Sequence, residues 1–270
     1  MGHKVEFQIG GITVRLRQRT ILITGGTSGI GQELGRQLLN FGNTVIVTGR
    51  DQARLNQASL ALPGIHTLLS DASDWRAIQT LYNEVVERFP SLDTIVNNAG
   101  IMRNLRLDQQ RSLADVTREI EVGLNGPIRM VQQFLPLLKT RKQSLIINVS
   151  SGLAFVPFPA APVYSAAKAG LHAYTRCLRA QLEGTAVTVV ELAPPGTETP
   201  LFRGEFAEEM KGEKGMDPKV LVRRAIEGIE AGKTEIRPGP SNILKIASRL
   251  APGFMFKQMM RLSKLRPRAA

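Results

Sequence analysis

Tyr164 and Lys168 stand four residues apart in the stretch PVYSAAKAGLHAYTRCL, whose apolar spacing predicts a helix over about Ala161–Leu182. On a helix, side chains at that spacing lie one above the other, so the phenol and the ammonium reach into the same space. An unperturbed tyrosine keeps its proton up to a pKa of about 10, and a nearby cation favours the phenolate. The pair is therefore a candidate proton donor and acceptor. Taken alone it is equally an ordinary exposed helix face, so its reading depends on what else the chain carries.

A second group of residues could hold an anion. Directly after the apolar run TILIT come Gly25, Gly26, Gly29 and Gly31, followed by the helical pattern Ile30, Leu34, Leu38 with Gly42 as a stop. Strand, glycine turn and helix in that order let backbone amides around Thr27, Ser28 and Gly29 approach a pyrophosphate, and they aim a partly positive helix N-terminus at it. A phosphate-bearing cofactor is implied; the plain alternative is a glycine-rich turn that binds nothing.

The spacing Thr24-Gly25-x-x-x-Gly29-Ile30-Gly31 resembles the short-chain dehydrogenase/reductase superfamily, and the likeness extends over about residues 18–240. Ser151, Tyr164 and Lys168 match that family's serine, tyrosine and lysine. Asp71-Ala72 matches the pair that contacts the adenine, and Asn97-Asn98-Ala99-Gly100 the segment that supports the sheet and lines the cofactor crevice. Pro194-Pro195-Gly196-Thr197-Glu198-Thr199 is similar to its P-G-x-x-x-T segment, with Pro195 in the glycine position. The resemblance implies an oxidoreductase in which Tyr164 passes a proton to a carbonyl oxygen while a bound nicotinamide passes hydride to carbon, or the reverse. Ser151 would hold the same oxygen, and Lys168 the ribose hydroxyls beside the nicotinamide. Pro194 and Thr197 would line the cofactor, and Thr199 would bond the carboxamide unless its hydroxyl only closes a turn. Ser150 is set aside because successive strand residues face opposite sides.

The end of the second strand, Thr48-Gly49-Arg50, bears on which nicotinamide fits. An acid there would pair with a ribose 2′-hydroxyl and repel a 2′-phosphate. Gly49 stands in that place, and Arg50 offers a planar charged fork suited to phosphate, so NADP(H) is expected over NAD(H). Asp51 speaks against it, and Arg50 could instead be a solvated charge. One position departs from the family: aligning Gly126 with the glycine of its N-x-x-G puts Gly123 where a catalytic asparagine belongs. Asn125 lies on another side of a regular helix. This admits a second reading, a nucleotide-binding regulator or scaffold with little turnover. Within the family the chain resembles the bacterial oxidoreductases associated with D-alanylation of cell-wall polymers, on SSGLAF and the Pro-Pro segment.

These residues need a scaffold, and the pattern supplies one. From Thr20 onward short Val/Ile-rich runs alternate with helical stretches: TILITG, TVIVTG, IHTLLS, LDTIVNN, SLIINVSS, AVTVVELA and TEIRPG, with a long helical region between about Ser112 and Thr140. Seven strands covered on both faces predict an α/β, Rossmann-like, doubly wound parallel sheet. Residues 20–240 read as a single dinucleotide-binding catalytic domain, 1–19 as an N-terminal extension forming a hairpin near Gly10-Gly11 or left unstructured, and 241–270 as a basic amphipathic tail. Residues 202–215 are either a lid over the cofactor or a solvated helix. His172 is expected on a helix surface or an interface; His3 and His66 have no assignment.

Composition excludes several classes. One cysteine, Cys177, cannot close an internal disulfide, no Cys/His cluster has metal spacing, and a reducing cytoplasm is expected. No run approaches the roughly 18 apolar residues of a membrane-spanning helix, and no secretory leader is expected. The net charge of +12 is concentrated at the ends: residues 241–270 carry Lys245, Arg249, Lys257, Arg261, Lys264, Arg266 and Arg268 and no acid, so no nucleic-acid partner is expected for the nearly balanced body. The tail's apolar residues could cover the chain's own substrate entrance, meet a neighbouring subunit, or lie peripherally on an anionic membrane. Leu153, Phe155, Val156, Phe158, Leu201, Phe202 and Phe206 are equally an apolar pocket for a small carbonyl or alcohol substrate, or core and subunit interface. The family resemblance implies a homodimer or homotetramer.

Overall fold

The computed structural model describes residues 14–264. The hairpin expected near Gly10-Gly11, His3, and the cations Arg266 and Arg268 lie outside the described residues. Seven strands form one parallel sheet: β1 (Thr20–Ile23), β2 (Thr44–Gly49), β3 (His66–Leu69), β4 (Thr94–Asn97), β5 (Ser144–Val149), β6 (Val187–Leu192) and β7 (Glu235–Ile236). Their order is β3-β2-β1-β4-β5-β6-β7. The α/β doubly wound reading of the sequence holds.

Side-chain alternation explains why the strands read as continuous apolar runs. Ile21 and Ile23 of β1 face one layer with Val45, Val47, Leu145 and Ile147, while Leu22 faces the other with Ile46, Ile95 and Ile146. Helices α1 (Gly29–Leu39), α2 (Gln52–Ala61) and α3 (Trp75–Arg88) follow the first three strands. Leu34 and Leu38 of α1 pack on the first layer, and Ile78, Leu81 and Val85 of α3 on the second. Val14 and Leu16, which precede β1, are buried in the first layer. Arg19 is buried too, its guanidinium 3.3 Å from the Asp93 carboxylate and bonded to Gln143.

The expected long helix between Ser112 and Thr140 is broken. It comprises α4 (Leu113–Val116), α5 (Arg118–Ile120), a wide π-helical turn over Glu121–Asn125, and α6 (Gly126–Lys139). The cause is local. Pro127 has no amide to give the carbonyl of Gly123, and its ring would crowd that carbonyl in a regular α-helix. The backbone takes one extra residue, and the Gly126 amide bonds the Glu121 carbonyl instead. Gly126 also passes close to the end of β3, since a Cβ there would lie 2.5 Å from the Ala72 carbonyl oxygen.

The remaining helices are α7 (Pro162–Gln181), α8 (Pro200–Arg203), α9 (Pro218–Glu230), α10 (Pro240–Leu250) and α11 (Pro252–Leu262). The sheet order reverses between β1 and β4. A crevice opens there at the carboxyl ends of the strands, as in open α/β sheets generally.

Candidate functional site

A cleft of about 830 Å³ runs across those carboxyl ends. One end is built by the turn after β1. Gly25 and Gly29 have φ of +66° and +54°, a region costly for residues with a Cβ. A Cβ on Gly31 would lie 2.4 Å from both the Asn98 amide nitrogen and the Gly25 carbonyl oxygen. The Asn98 side chain donates to the Thr24 and Gly25 carbonyls, and the Thr24 hydroxyl accepts the amides of Asn98 and Ala99. Asn98 thus straps the glycine turn to the end of β4. Ser28 caps α1 without a side-chain hydrogen bond, which leaves the first-turn amides at the cleft. This cradle of glycines and amides fits the pyrophosphate of a dinucleotide.

Every residue singled out from the sequence as a cofactor contact lines this cleft except Gly31, which packs behind it: Gly25, Thr27, Ser28, Gly29, Ile30, Arg50, Asp71, Ala72, Asn98, Ala99, Gly100, Tyr164, Lys168, Pro194, Thr197 and Thr199. Asp71 accepts both the amide and the hydroxyl of Ser73, which shapes the floor after β3. Arg54, missed in the sequence, lines the cleft with Arg50 from one turn further along the chain. Asp51 lines the cleft as well, capping α2 at the Arg54 amide with one carboxylate oxygen and lying 3.8 Å from the Arg54 guanidinium with the other. The Thr199 hydroxyl donates to the Thr197 carbonyl and accepts the Phe202 amide, so in this arrangement it closes a turn, the plainer of the two readings.

At the other end the structure brings Ser151, Tyr164 and Lys168 together. Tyr164 and Lys168, on α7, are 8% and 3% exposed. Ser151 leaves β5 as the cap of a short turn and bonds the Tyr164 hydroxyl. Burial pushes the Tyr164 phenol up to about 12, partly offset by that bond. Burial pulls Lys168 down to about 8, and its Nζ donates to the Val149 carbonyl at 2.8 Å. The expectation that the Lys168 ammonium stabilises a phenolate is therefore not met in the protein alone: Nζ lies 5.7 Å from the Tyr164 ring centroid, and desolvation dominates both groups. Tyr164 is held neutral.

The two shifts act oppositely on stability. The folded protein releases the Lys168 proton near pH 8, the unfolded chain near 10.5, so between those values the unfolded state binds more protons and stability rises with pH. Below pH 8 the full burial penalty applies, on the order of 3 kcal/mol. Tyr164 reverses the trend above pH 10, where the unfolded chain ionises and the folded one holds its proton to about 12. Urea unfolding at pH 7 and pH 9.5 should therefore show the protein gaining stability relative to Lys168→Met at the higher pH. An unchanged difference would mean that the ammonium is solvated.

Ser150 points away from this group. Its hydroxyl donates to the buried Glu191 carboxylate at 2.5 Å, and Glu191 also meets His172 Nδ1 at 2.7 Å. His172 is thus tied into a buried polar cluster rather than left on a helix surface. Its partner sits on β6, and only the three-dimensional packing reveals it. His66 stacks edge-on against Phe89 outside the cleft.

Gly123 lies in the π turn and faces Ala167 of α7, where a Cβ would be 3.4 Å from the Ala167 methyl. The backbone shift that Asn125 would need to replace the missing asparagine is present, yet Asn125 bonds Glu121, which in turn pairs with Arg129. No asparagine amide enters the cleft from this turn; Val122 lines it instead.

The wall beyond Tyr164 is apolar. Met102, Leu153, Phe158, Phe202 and Met210 line it, and Phe206 packs against Phe158 with ring centroids 5.9 Å apart. Residues 202–215 are neither a solvated helix nor an untethered flap. Arg203 holds Glu198 and the carbonyls of Met210 and Glu213, and Met216 pairs with Thr197. The tail completes this wall, with Leu244 of α10 and Met259 and Leu262 of α11 lining the cleft. Gly152 admits α10, since a Cβ there would lie 3.1 Å from Leu244 Cδ1. Among the described residues no group of His, Cys, Asp and Glu could hold a metal ion, and no helix is long and apolar enough to cross a membrane.

Comparison with known proteins agrees with this geometry. Residues 19–210 match the family model described as short chain dehydrogenase. Over 247 residues the chain is 36% identical to the uncharacterized oxidoreductase DltE of Bacillus subtilis, spanning 91% of this chain and 98% of that protein. A short chain dehydrogenase from Burkholderia cenocepacia, solved in complex with NADP, superposes with a TM-score of 0.77 at 22% identity, covering 94% of this chain and all (100%) of that one. One from Burkholderia phymatum, solved with NAD, gives 0.78 at 18% identity over 95% of this chain and 100% of its own.

Proposed function

The chain belongs to the short-chain dehydrogenase/reductase family of oxidoreductases, and from that premise we propose that it is an NADP(H)-dependent carbonyl reductase or alcohol dehydrogenase with Tyr164 as its acid and base. When bound, the nicotinamide supplies or takes the hydride. Tyr164 holds the proton for the carbonyl oxygen, and the Ser151 hydroxyl fixes that oxygen by a hydrogen bond. Lys168 stands within reach of the same end of the cleft, beside Gly100, to hold sugar hydroxyls. The substrate is a small apolar carbonyl or alcohol, enclosed by Leu153, Phe158, Phe202 and the tail. A homo-oligomer working in the cytoplasm is part of this reading.

One observation carries it: Ser151, the buried Tyr164 and Lys168, and the glycine cradle line one continuous cleft. The preference for NADP(H) rests on Arg50 and Arg54 together, with no carboxylate ending β2; Asp51, which caps α2 and lies 3.8 Å from Arg54, lines the same cleft and is the acid that a 2′-phosphate would meet there. Solved relatives hold NADP in one case and NAD in another, so this chain's own residues must decide. Arg50→Ala with Arg54→Ala should weaken NADPH binding about 10- to 100-fold while leaving NADH binding unchanged. Fluorescence titration reads both, and tighter NADH binding by the unaltered protein would reject the preference. NADPH consumption across a panel of aldehydes and ketones tests the reaction. Cofactor binding with no turnover across that panel would favour the regulator that Gly123 admits.

A further inference from the structure

Helices α10 and α11 have two apolar faces, and the cleft uses only one. Leu244, Met259 and Leu262 turn inward to the reaction cleft. On the opposite side of α10, Ile243, Ile246 and Leu250 recur at helical spacing and are exposed, Leu250 by 81%. On α11 Phe254, Phe256 and Met260 do the same, with Phe254 exposed by 60%. Six of the large apolar side chains that the described residues leave in solvent thus lie within this one helix pair. Exposed Arg249, Lys257 and Arg261 border them. Lys245 is different, being drawn inward to Glu235 at 2.6 Å.

We propose that this outer face docks on an anionic phospholipid surface, independently of which reaction the cleft performs. Charge decides between the possible occupants. A second copy meeting this face across a two-fold axis would set Arg249, Lys257 and Arg261 against their own images, and residues 241–270 contain no acid to relieve them. A bilayer with acidic headgroups offers the complement: negative charge for the bordering cations, and an apolar boundary for Ile243, Ile246, Leu250, Phe254, Phe256 and Met260. Because the same helices wall the substrate end of the cleft, docking would hold that end at the membrane surface.

The test is sedimentation of the full chain with vesicles of phosphatidylcholine alone and of phosphatidylcholine mixed with phosphatidylglycerol. The protein should pellet with the mixed vesicles, stay in solution with pure phosphatidylcholine, and release as salt is raised. Charge alone gives a protein of net charge +12 some affinity for acidic lipid, so the deciding variant leaves charge untouched. Ile246→Ser, Leu250→Ser and Phe254→Ser together should lower vesicle affinity at least about tenfold. Arg249→Glu, Lys257→Glu and Arg261→Glu together should lower it on the order of a hundredfold. NADPH titration and thermal melting of each variant show that the fold and cleft persist. Failure to pellet at low salt, equal pelleting with both vesicle types, or full binding by the serine variant would overturn the proposal. So would a fall in the solution mass of the serine variant by light scattering, which would assign the face to a second copy.

Discussion

Tyr164→Phe should lower kcat/KM for carbonyl reduction about a thousandfold while leaving NADPH affinity within about twofold. The ring is retained, so its packing beside Phe158, Ala160 and Phe206 survives. What disappears is the hydroxyl, and with it the proton donor and the bond from Ser151. General acid catalysis by a positioned side chain is worth about 10²- to 10⁴-fold. The middle of that range is expected: Tyr164 keeps its proton throughout the physiological range, but a phenol pushed up to about 12 by burial is a weaker acid than an ordinary one. The hydrogen bond lost to Ser151 costs about 1 kcal/mol of stability, too little to unfold the domain. Single-turnover measurements with enzyme-bound NADPH separate the chemical step from binding. Turnover within tenfold of the unaltered enzyme would remove Tyr164 from the proton-transfer role.

Gly31→Ala should raise the dissociation constant for NADPH at least about tenfold and destabilise the protein by about 1–3 kcal/mol. The added methyl would begin 2.4 Å from a backbone oxygen, that of Gly25, and from the Asn98 amide that straps the turn. Neither is the free end of a flexible chain. Relief requires the turn to open away from β4, which moves the amides of Ser28 and Gly29 out of phosphate reach. Gly253→Ala is the control, since nothing lies within 4 Å of a Cβ there and its effect on cofactor binding should be negligible. Equal NADPH affinity for Gly31→Ala and the unaltered protein would show that the turn does not carry the phosphate.

The linear sequence determined whatever depends on near neighbours. Short continuous apolar runs marked most of the seven strands, because burial on both faces of a parallel sheet removes the alternation of a half-exposed strand. The glycine turn was legible because only residues without a Cβ follow that backbone path. The Tyr164–Lys168 pair was legible because a four-residue spacing sets both side chains on one face of α7. Arg54 gave no such signal: Arg50 precedes the α2 cap, so the two arginines do not share a helix face and only the folded turn brings both to the cleft.

The tertiary structure alone decided what depends on residues distant in the chain. Pro127 signals that a helix should open at Gly123, but that Asn125 would turn to Glu121 and leave the cleft follows from the packing of α6 beside Ala72 and α7. Glu191 claims Ser150 and His172 across the end of the sheet. The tail's division into a cleft-facing and a solvent-facing side required α10 to settle on Gly152, more than eighty residues earlier in the chain. Amphipathic spacing shows that a helix has an apolar side; only the assembled neighbours determine which apolar residues they cover and which they leave exposed.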